Sequence, residues 1–224
     1  MSLRAVLFDA GNTLLFLDYA RMAPAVADAV GHPLTAAGLE AVAGEAARSM
    51  ERREGTDRDR AGRYLESLFR LAGVPESGMP LVRETLFRLH QERHLWATRR
   101  PGTLEALERL QQAGLVLGVV SNSDGRAAEG LAAAGLLGYF ALVIDSELVG
   151  FEKPDPRIFQ AALSQLGLQP DQALYVGDLY EIDVIGARAA GLDVILLDPS
   201  GQHRARDVTT CATLAEVVSR VLAW

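Results

Sequence analysis

The sequence predicts an α/β protein: a doubly wound parallel sheet whose chain leaves once to build a separate helical unit. Five short apolar, β-rich runs are bounded by polar or glycine turns, the pattern of parallel strands covered on both faces. Helix-length patterns separate and follow most of those runs, which implies right-handed crossovers. One stretch, about residues 18–98, carries helical patterns and no convincing strand.

Ala5-Val6-Leu7-Phe8 is the first strand. Amphipathic patterns follow near 20–30, 35–53, 58–72 and 79–95, broken at Gly31-His32-Pro33, at Gly55-Thr56 and between Gly73 and Gly78. An insertion of this size is too large for a loop. It reads as a lid-like subdomain over the C-terminal edge of the sheet, where open α/β sheets bind ligands. The expected division is 1–17 with 99–224 for the core and 18–98 for the inserted unit. The chain returns through Arg99-Arg100-Pro101-Gly102, with Asp18 near the outgoing linker. It then reads as helix 102–113, strand 115–120, helix 125–134, strand 142–144 and helix 156–166. Strand 173–176, helix 181–190, strand 194–197 and helix 213–222 complete the pattern.

The chain has 224 residues, 49% hydrophobic and 23% charged, an ordinary globular composition. Its net charge of -7 and pI near 5.2 argue against nonspecific nucleic-acid binding, which needs a basic footprint. Cys211 has no partner for a disulfide or a zinc site and reads as a buried residue of a reducing compartment. The N-terminal apolar run is too short for a signal peptide, and no apolar run reaches membrane-spanning length. The expected compartment is the cytoplasm, and the sequence leaves the oligomeric state open.

Four strand ends carry candidate chemistry. Asp9-Ala10-Gly11-Asn12-Thr13 follows the first, Ser121-Asn122 the second, Lys153 the third, and Gly177-Asp178 through Asp183 the fourth. In a parallel sheet these ends meet at one rim. Lys153 is the only lysine among 22 basic residues, and it lies in the turn-rich run Glu152-Lys153-Pro154-Asp155-Pro156. A compact ammonium on a flexible stem suits a place where a guanidinium fork does not fit. Asp9, Asp178 and Asp183 supply hard oxygen ligands that suit Mg²⁺. Ser121, Lys153 and loop N–H groups supply donors for a phosphoryl group. Asp9 is then placed to attack phosphorus. Taken singly, each residue reads as a turn, a cap or a surface charge. The ordered set points to a site.

On those motifs the chain resembles the haloacid dehalogenase (HAD) superfamily, over nearly its whole length. The resemblance implies a Rossmann-like core with a small α-helical cap of the phosphoglycolate-phosphatase-like type. It implies that Asp9 is the nucleophile and a metal ligand. Ser121 and Asn122 bind the phosphoryl group, and Lys153 stabilises its charge. Asp178 ligates Mg²⁺ and Asp183 supports it directly or through water, with Asn12 and Thr13 shaping the first loop. The substrate class it implies is a small phosphorylated metabolite.

The chain departs from that pattern at Gly11, where family phosphatases carry a second Asp that moves the leaving-group proton. The Gly11 carbonyl can still ligate metal, but the acid is gone, a factor of roughly 10²–10⁴ in rate. Three readings follow. The first is a Mg²⁺-dependent phosphohydrolase, slow or borrowing an acid from Glu45, Glu51, Glu54, His90 or His94. The second is other chemistry of the family. Phosphonoacetaldehyde hydrolysis needs a cap lysine that is absent here, and metal-independent 2-haloacid dehalogenation sits poorly with Gly177, Asp178 and Asp183 together. The third is a catalytically weak phosphate-binding module. Arg48, Arg52, Arg53, Arg58, Arg60 and Arg63, interleaved with acids, read as a salt-bridged surface with a minor prospect of gripping an anion. Phe16, Tyr64 and Trp96 read as packing or hinge residues.

Overall fold

A computed structural model describes residues 2–47 and 55–224, without the side chain of Asp57. The elements run β1 (Ala5–Phe8), β2 (Phe16–Leu17), α1 (Tyr19–Val30), α2 (Ala36–Ala47), α3 (Asp57–Leu71), α4 (Met79–Glu92) and β3 (Trp96–Thr98). Then come α5 (Thr103–Gln112), β4 (Val116–Ser121), α6 (Ala127–Ala133), β5 (Leu142–Asp145), α7 (Ser146–Val149), α8 (Pro156–Leu166) and β6 (Ala173–Gly177). The chain ends with α9 (Ile185–Ala189), β7 (Asp193–Leu197), β8 (Thr209–Cys211) and α10 (Leu214–Leu222). It separates into two compact units, Met1–Phe16 with Thr98–Trp224, and Leu17–Ala97. Among the described residues no helix is long and apolar enough to cross a membrane.

The first unit holds the doubly wound parallel sheet that the sequence predicts. Its strand order is β5-β4-β1-β6-β7-β8, all neighbours parallel. β1 is central and fully buried because all four of its residues are apolar and helices cover both faces. Phe8 is level with Val119 of β4 and Val176 of β6, so the residues that follow these strands emerge at one edge. Leu7, Val120, Ile144, Ile158, Phe159 and Tyr175 form part of one core below that edge.

Among the described residues three strands, β2, β3 and β8, escaped the sequence reading. β8 is a three-residue Thr-Thr-Cys edge with no apolar run. β3 lies inside the stretch read as strand-free and pairs with β2. The outgoing and returning linkers are therefore a two-stranded ribbon. Thr98 Oγ1 donates to the Phe16 carbonyl at 2.9 Å, and Arg100 lies 4.2 Å from the Phe16 ring centroid.

Among its described residues the second unit holds the helices α1 to α4. Its apolar stripes bury Met22, Val26, Leu39, Leu68, Phe69 and Leu86. Asp18 caps α1 by accepting from Arg21 N, and its other oxygen takes Arg93 at 2.6 Å. Arg21 in turn donates to the carbonyls of Leu89 and Arg93, closing the C-terminus of α4. Thr56 and Asp59 form a capping box on α3.

Candidate active site

The loop after β1 starts where Asp9 N donates to Val176 O at 2.8 Å. It turns back at once: Leu14 N and Leu15 N both donate to Ala10 O, and Asn12 N donates to Leu15 O. Asn12 takes a left-handed φ of 59°, a region asparagine tolerates better than most residues. Thr13, fully buried, directs Oγ1 toward Asp178 Oδ1 at 3.5 Å. The first and fourth motifs thereby meet.

Lys153 stands at the centre. Its side chain is 2% exposed, and Nζ donates to Asp9 Oδ1 (2.5 Å), Asp183 Oδ1 (2.8 Å) and Tyr175 OH (2.9 Å). All three of its protons are committed, which a guanidinium fork of fixed geometry would not reproduce. Three carboxylates crowd this single ammonium. Burial, opposed by Lys153 and reinforced by Asp183, pushes Asp9 up to about 7. Burial and then the charges of Asp9 and Asp183 raise Asp178 well above the usual carboxylate range. Burial alone would lower the Lys153 value, but Asp183 and Asp9 carry it above lysine's ordinary range.

Asp183 is 1% exposed, and both of its oxygens are engaged. Oδ1 accepts from Lys153 and Tyr175, and Oδ2 accepts from the backbone N–H of Asp178 (3.1 Å) and Leu179 (2.9 Å). Asp183 was expected to support Mg²⁺ directly or through water. Each oxygen already holds two donors, so the residue braces Lys153 and the Asp178 loop. Two local features bring it there. Residues Tyr180–Val184 form a π-helical turn in place of the expected regular helix start, with Asp183 N donating to Leu179 O at 2.7 Å. Gly177 leaves room: a Cβ there would stand 2.4 Å from Asp183 Cγ.

Asn122 is tied to the Lys153 backbone. Its amide donates to Lys153 O at 3.0 Å, and its carbonyl oxygen accepts from Lys153 N at 2.7 Å. With both ends of its side-chain amide used, it clamps the Lys153 backbone. Ser121 is 3% exposed at the end of β4, and its Oγ lies 3.3 Å from Asn122 O, a long hydroxyl bond that is readily exchanged. Gly11 sits in the first loop, where its isolated bridge to Leu15 fixes the backbone.

Sequence reasoning missed three residues. Tyr175 projects its hydroxyl from β6 to Lys153, Asp183 and Val120 O. An aromatic residue in an apolar strand gives no sign of that. Asp145 ends β5 and Ser146 follows it, and the strand-end rule applied to the other strands would have found them. Asp145, 2% exposed, accepts from the N–H of Gly125, Ala127 and Glu147. Ser146 Oγ accepts from Ser123 N and donates to Ser123 O, both at 3.0 Å. The amides of Ser123, Gly125 and Ala127 are thus committed to shaping the loop, which narrows the expectation that its N–H groups serve a phosphoryl group.

The candidate replacement acids fall in the second unit. Glu51 and Glu54, with Arg48, Arg52 and Arg53, lie outside the described residues. His90 and His94 lie together, ring centroids 4.9 Å apart, and His94 Nδ1 is 3.0 Å from Trp96 O. Arg60 is buried and donates to Gly55 O. Tyr64 packs in the interior, 6.3 Å from the Trp96 ring.

Residues 3–191 match the family model of the haloacid dehalogenase-like hydrolases. The mouse haloacid dehalogenase-like hydrolase domain-containing protein 3 is 39% identical over 130 residues, 58% of this chain and 51% of that protein. The chain therefore spans about half the length of that relative. A phosphoserine phosphatase of Thermus thermophilus is 36% identical over 181 residues, 77% of this chain and 67% of that protein. Among solved structures, a magnesium-bound HAD-hydrolase of Bacillus subtilis shares the fold at a TM-score of 0.70 and 22% identity, covering 99% of this chain and 100% of that one. The four strand-end motifs, the central lysine and this sequence kinship agree, and the chain belongs to the haloacid dehalogenase-like hydrolase family.

Proposed function

We propose that this hydrolase is a Mg²⁺-dependent phosphatase of small phosphorylated metabolites. The observation that carries the reading is the single buried ammonium facing three carboxylates. Two negative charges are left over, and a divalent cation answers that excess. The donor set fits the ion: Asp9, Asp178 and the Gly11 carbonyl would hold it, with Asp183 supporting the Asp178 loop from behind. Bound Mg²⁺ supplies positive charge against the phosphoryl oxygens. The phosphatase name of the Thermus relative points to the same substrate class.

The chain's own residues then act as follows. Ser121 Oγ receives the phosphoryl group, and the Lys153 ammonium, its protons kept on Asp9, Tyr175 and Asp183, offsets the group's charge across space. Lys153 holds Asp9 Oδ1, which leaves Oδ2 to attack phosphorus. The new Asp9 O–P bond forms as the ester P–O bond breaks, and the leaving group departs with the electron pair. Water then attacks the phosphorus of the aspartyl phosphate, releasing phosphate and restoring Asp9. Gly11 has no proton to give, so the enzyme favours leaving groups that depart as anions.

Phosphate release from acetyl phosphate, p-nitrophenyl phosphate and sugar phosphates tests this, with and without Mg²⁺, beside Asp9→Asn. Mg²⁺-dependent turnover lost in Asp9→Asn supports the reading. Metal binding without turnover of any substrate would make it a phosphate-binding module instead. Chloride release from 2-haloacids without metal would make it a dehalogenase.

A further inference from the structure

The β7–β8 connection is held to a fixed shape by Asp198. This buried carboxylate accepts from Ser200 Oγ (3.1 Å), Gln202 N (3.1 Å) and His203 N (2.8 Å), and Asp198 N donates to Cys211 O. The loop brings two side chains onto one ring. His203, itself buried, stacks on Tyr180 with centroids 6.0 Å apart and planes 15° apart. Arg206 places its guanidinium 4.2 Å from the Tyr180 centroid and pairs with Glu181 at 3.2 Å. Tyr180 and Glu181 are the first two residues of the π-turn, which follows Asp178 and carries Asp183.

We propose that His203 and Arg206 are positioning residues: they latch the π-turn through Tyr180 and Glu181, and so set the alignment of Asp178 and Asp183. The proposal rests on the phosphatase reading for its catalytic consequence, though not for its structural one. A π-helical turn is uncommon, and one that carries Asp183 and follows Asp178 gains from an external brace. The brace is modest at Arg206, which is half exposed, since exposed ion pairs and ring contacts are individually weak. The effect therefore needs both contacts removed to be large.

The test compares wild type, Arg206→Ala, Arg206→Lys and the double variant His203→Ala/Arg206→Ala. Mn²⁺ and Mg²⁺ dissociation constants are measured by calorimetry. Turnover of p-nitrophenyl phosphate is measured at saturating metal, and amide hydrogen exchange in EDTA. The double variant is expected to weaken metal binding about tenfold and Arg206→Ala a few-fold less, with KM for the ester within about twofold of wild type. Arg206→Lys keeps a cation over the ring and restores most of the affinity. In EDTA the Leu179 and Asp183 amides, which tie the start of the turn through Asp183 Oδ2 and Leu179 O, exchange faster in the variants while those of β6 do not. Unchanged exchange at Leu179 and Asp183 would overturn the latch whatever the metal data show. If wild type binds no divalent ion, the phosphatase reading falls, and the exchange measurement still decides the latch.

Discussion

Gly177→Ala is expected to be among the most damaging one-carbon additions to the molecule. The added Cβ would lie 2.4 Å from Asp183 Cγ and 2.5 Å from its Oδ2, where ordinary contact begins at 3.4 Å. The Asp183 carboxylate must therefore retreat by 1.0 Å, the difference of those two distances. It cannot retreat freely, because it holds Lys153 at 2.8 Å, Tyr175 at 3.1 Å and two backbone amides at 2.9 and 3.1 Å. Loosening a buried, hydrogen-bonded charge of this kind costs about 3–5 kcal/mol. For a chain of this size that lowers Tm by roughly 6–20 °C. The assay is thermal unfolding of a double-mutant cycle with Asp183→Ala. Removing the carboxylate removes the obstacle, so Gly177→Ala should cost less than about 1 kcal/mol in that background. Equal costs in both backgrounds would refute the packing argument and place the role of Gly177 in backbone freedom.

Four further outcomes are expected. Gly11→Asp should restore a proton donor and raise turnover of alkyl phosphates by roughly 10²–10⁴ while changing p-nitrophenyl phosphate little, as read by kcat on each ester. Asn122→Ala should free the Lys153 backbone and cost about 1–3 kcal/mol of stability, with kcat falling more than KM rises, measured by denaturant unfolding and steady-state kinetics. Tyr175→Phe should remove one of three partners of Lys153 and lower kcat by about tenfold with the fold intact by circular dichroism. The pH dependence has a definite sign. Asp9 rises from 3.8 to about 7 on folding, so its protonated form stabilises the metal-free protein below pH 3.8, and that contribution is lost as pH climbs toward 7. Metal needs the ionised form, so the Mg²⁺-induced rise in Tm should grow between pH 5 and 7 and level off above it. A rise independent of pH would contradict it.

Much of the core was legible because it depends on pattern. β1, β4, β5, β6 and β7 are continuous apolar runs, and a parallel sheet with covered faces leaves no other reading for them. β8 and the β2–β3 ribbon were illegible because strands of two or three residues carry no period. Asp9, Lys153, Asp178 and Asp183 could be gathered from sequence since parallel strands bring their ends to one rim. What sequence could not supply is the division of labour among them. Asn122 and Asp183 are the residue types expected of ligands, yet their polar atoms are spent on neighbours. That distinction depends on distances of a few tenths of an ångström. Tyr175 shows the converse: a residue read as core acts through its one polar atom.

The solitary lysine gives this molecule an unusual spectroscopic handle. Feeding ¹⁵N-lysine to the expressing cells would label one side chain in the whole chain, and that nitrogen would be the one bonded to Asp9, Tyr175 and Asp183. An ammonium 2% exposed exchanges its protons slowly enough to give a sharp resonance, where surface lysines vanish. A single peak would then report any change at Asp9, Tyr175 or Asp183, with no assignment problem.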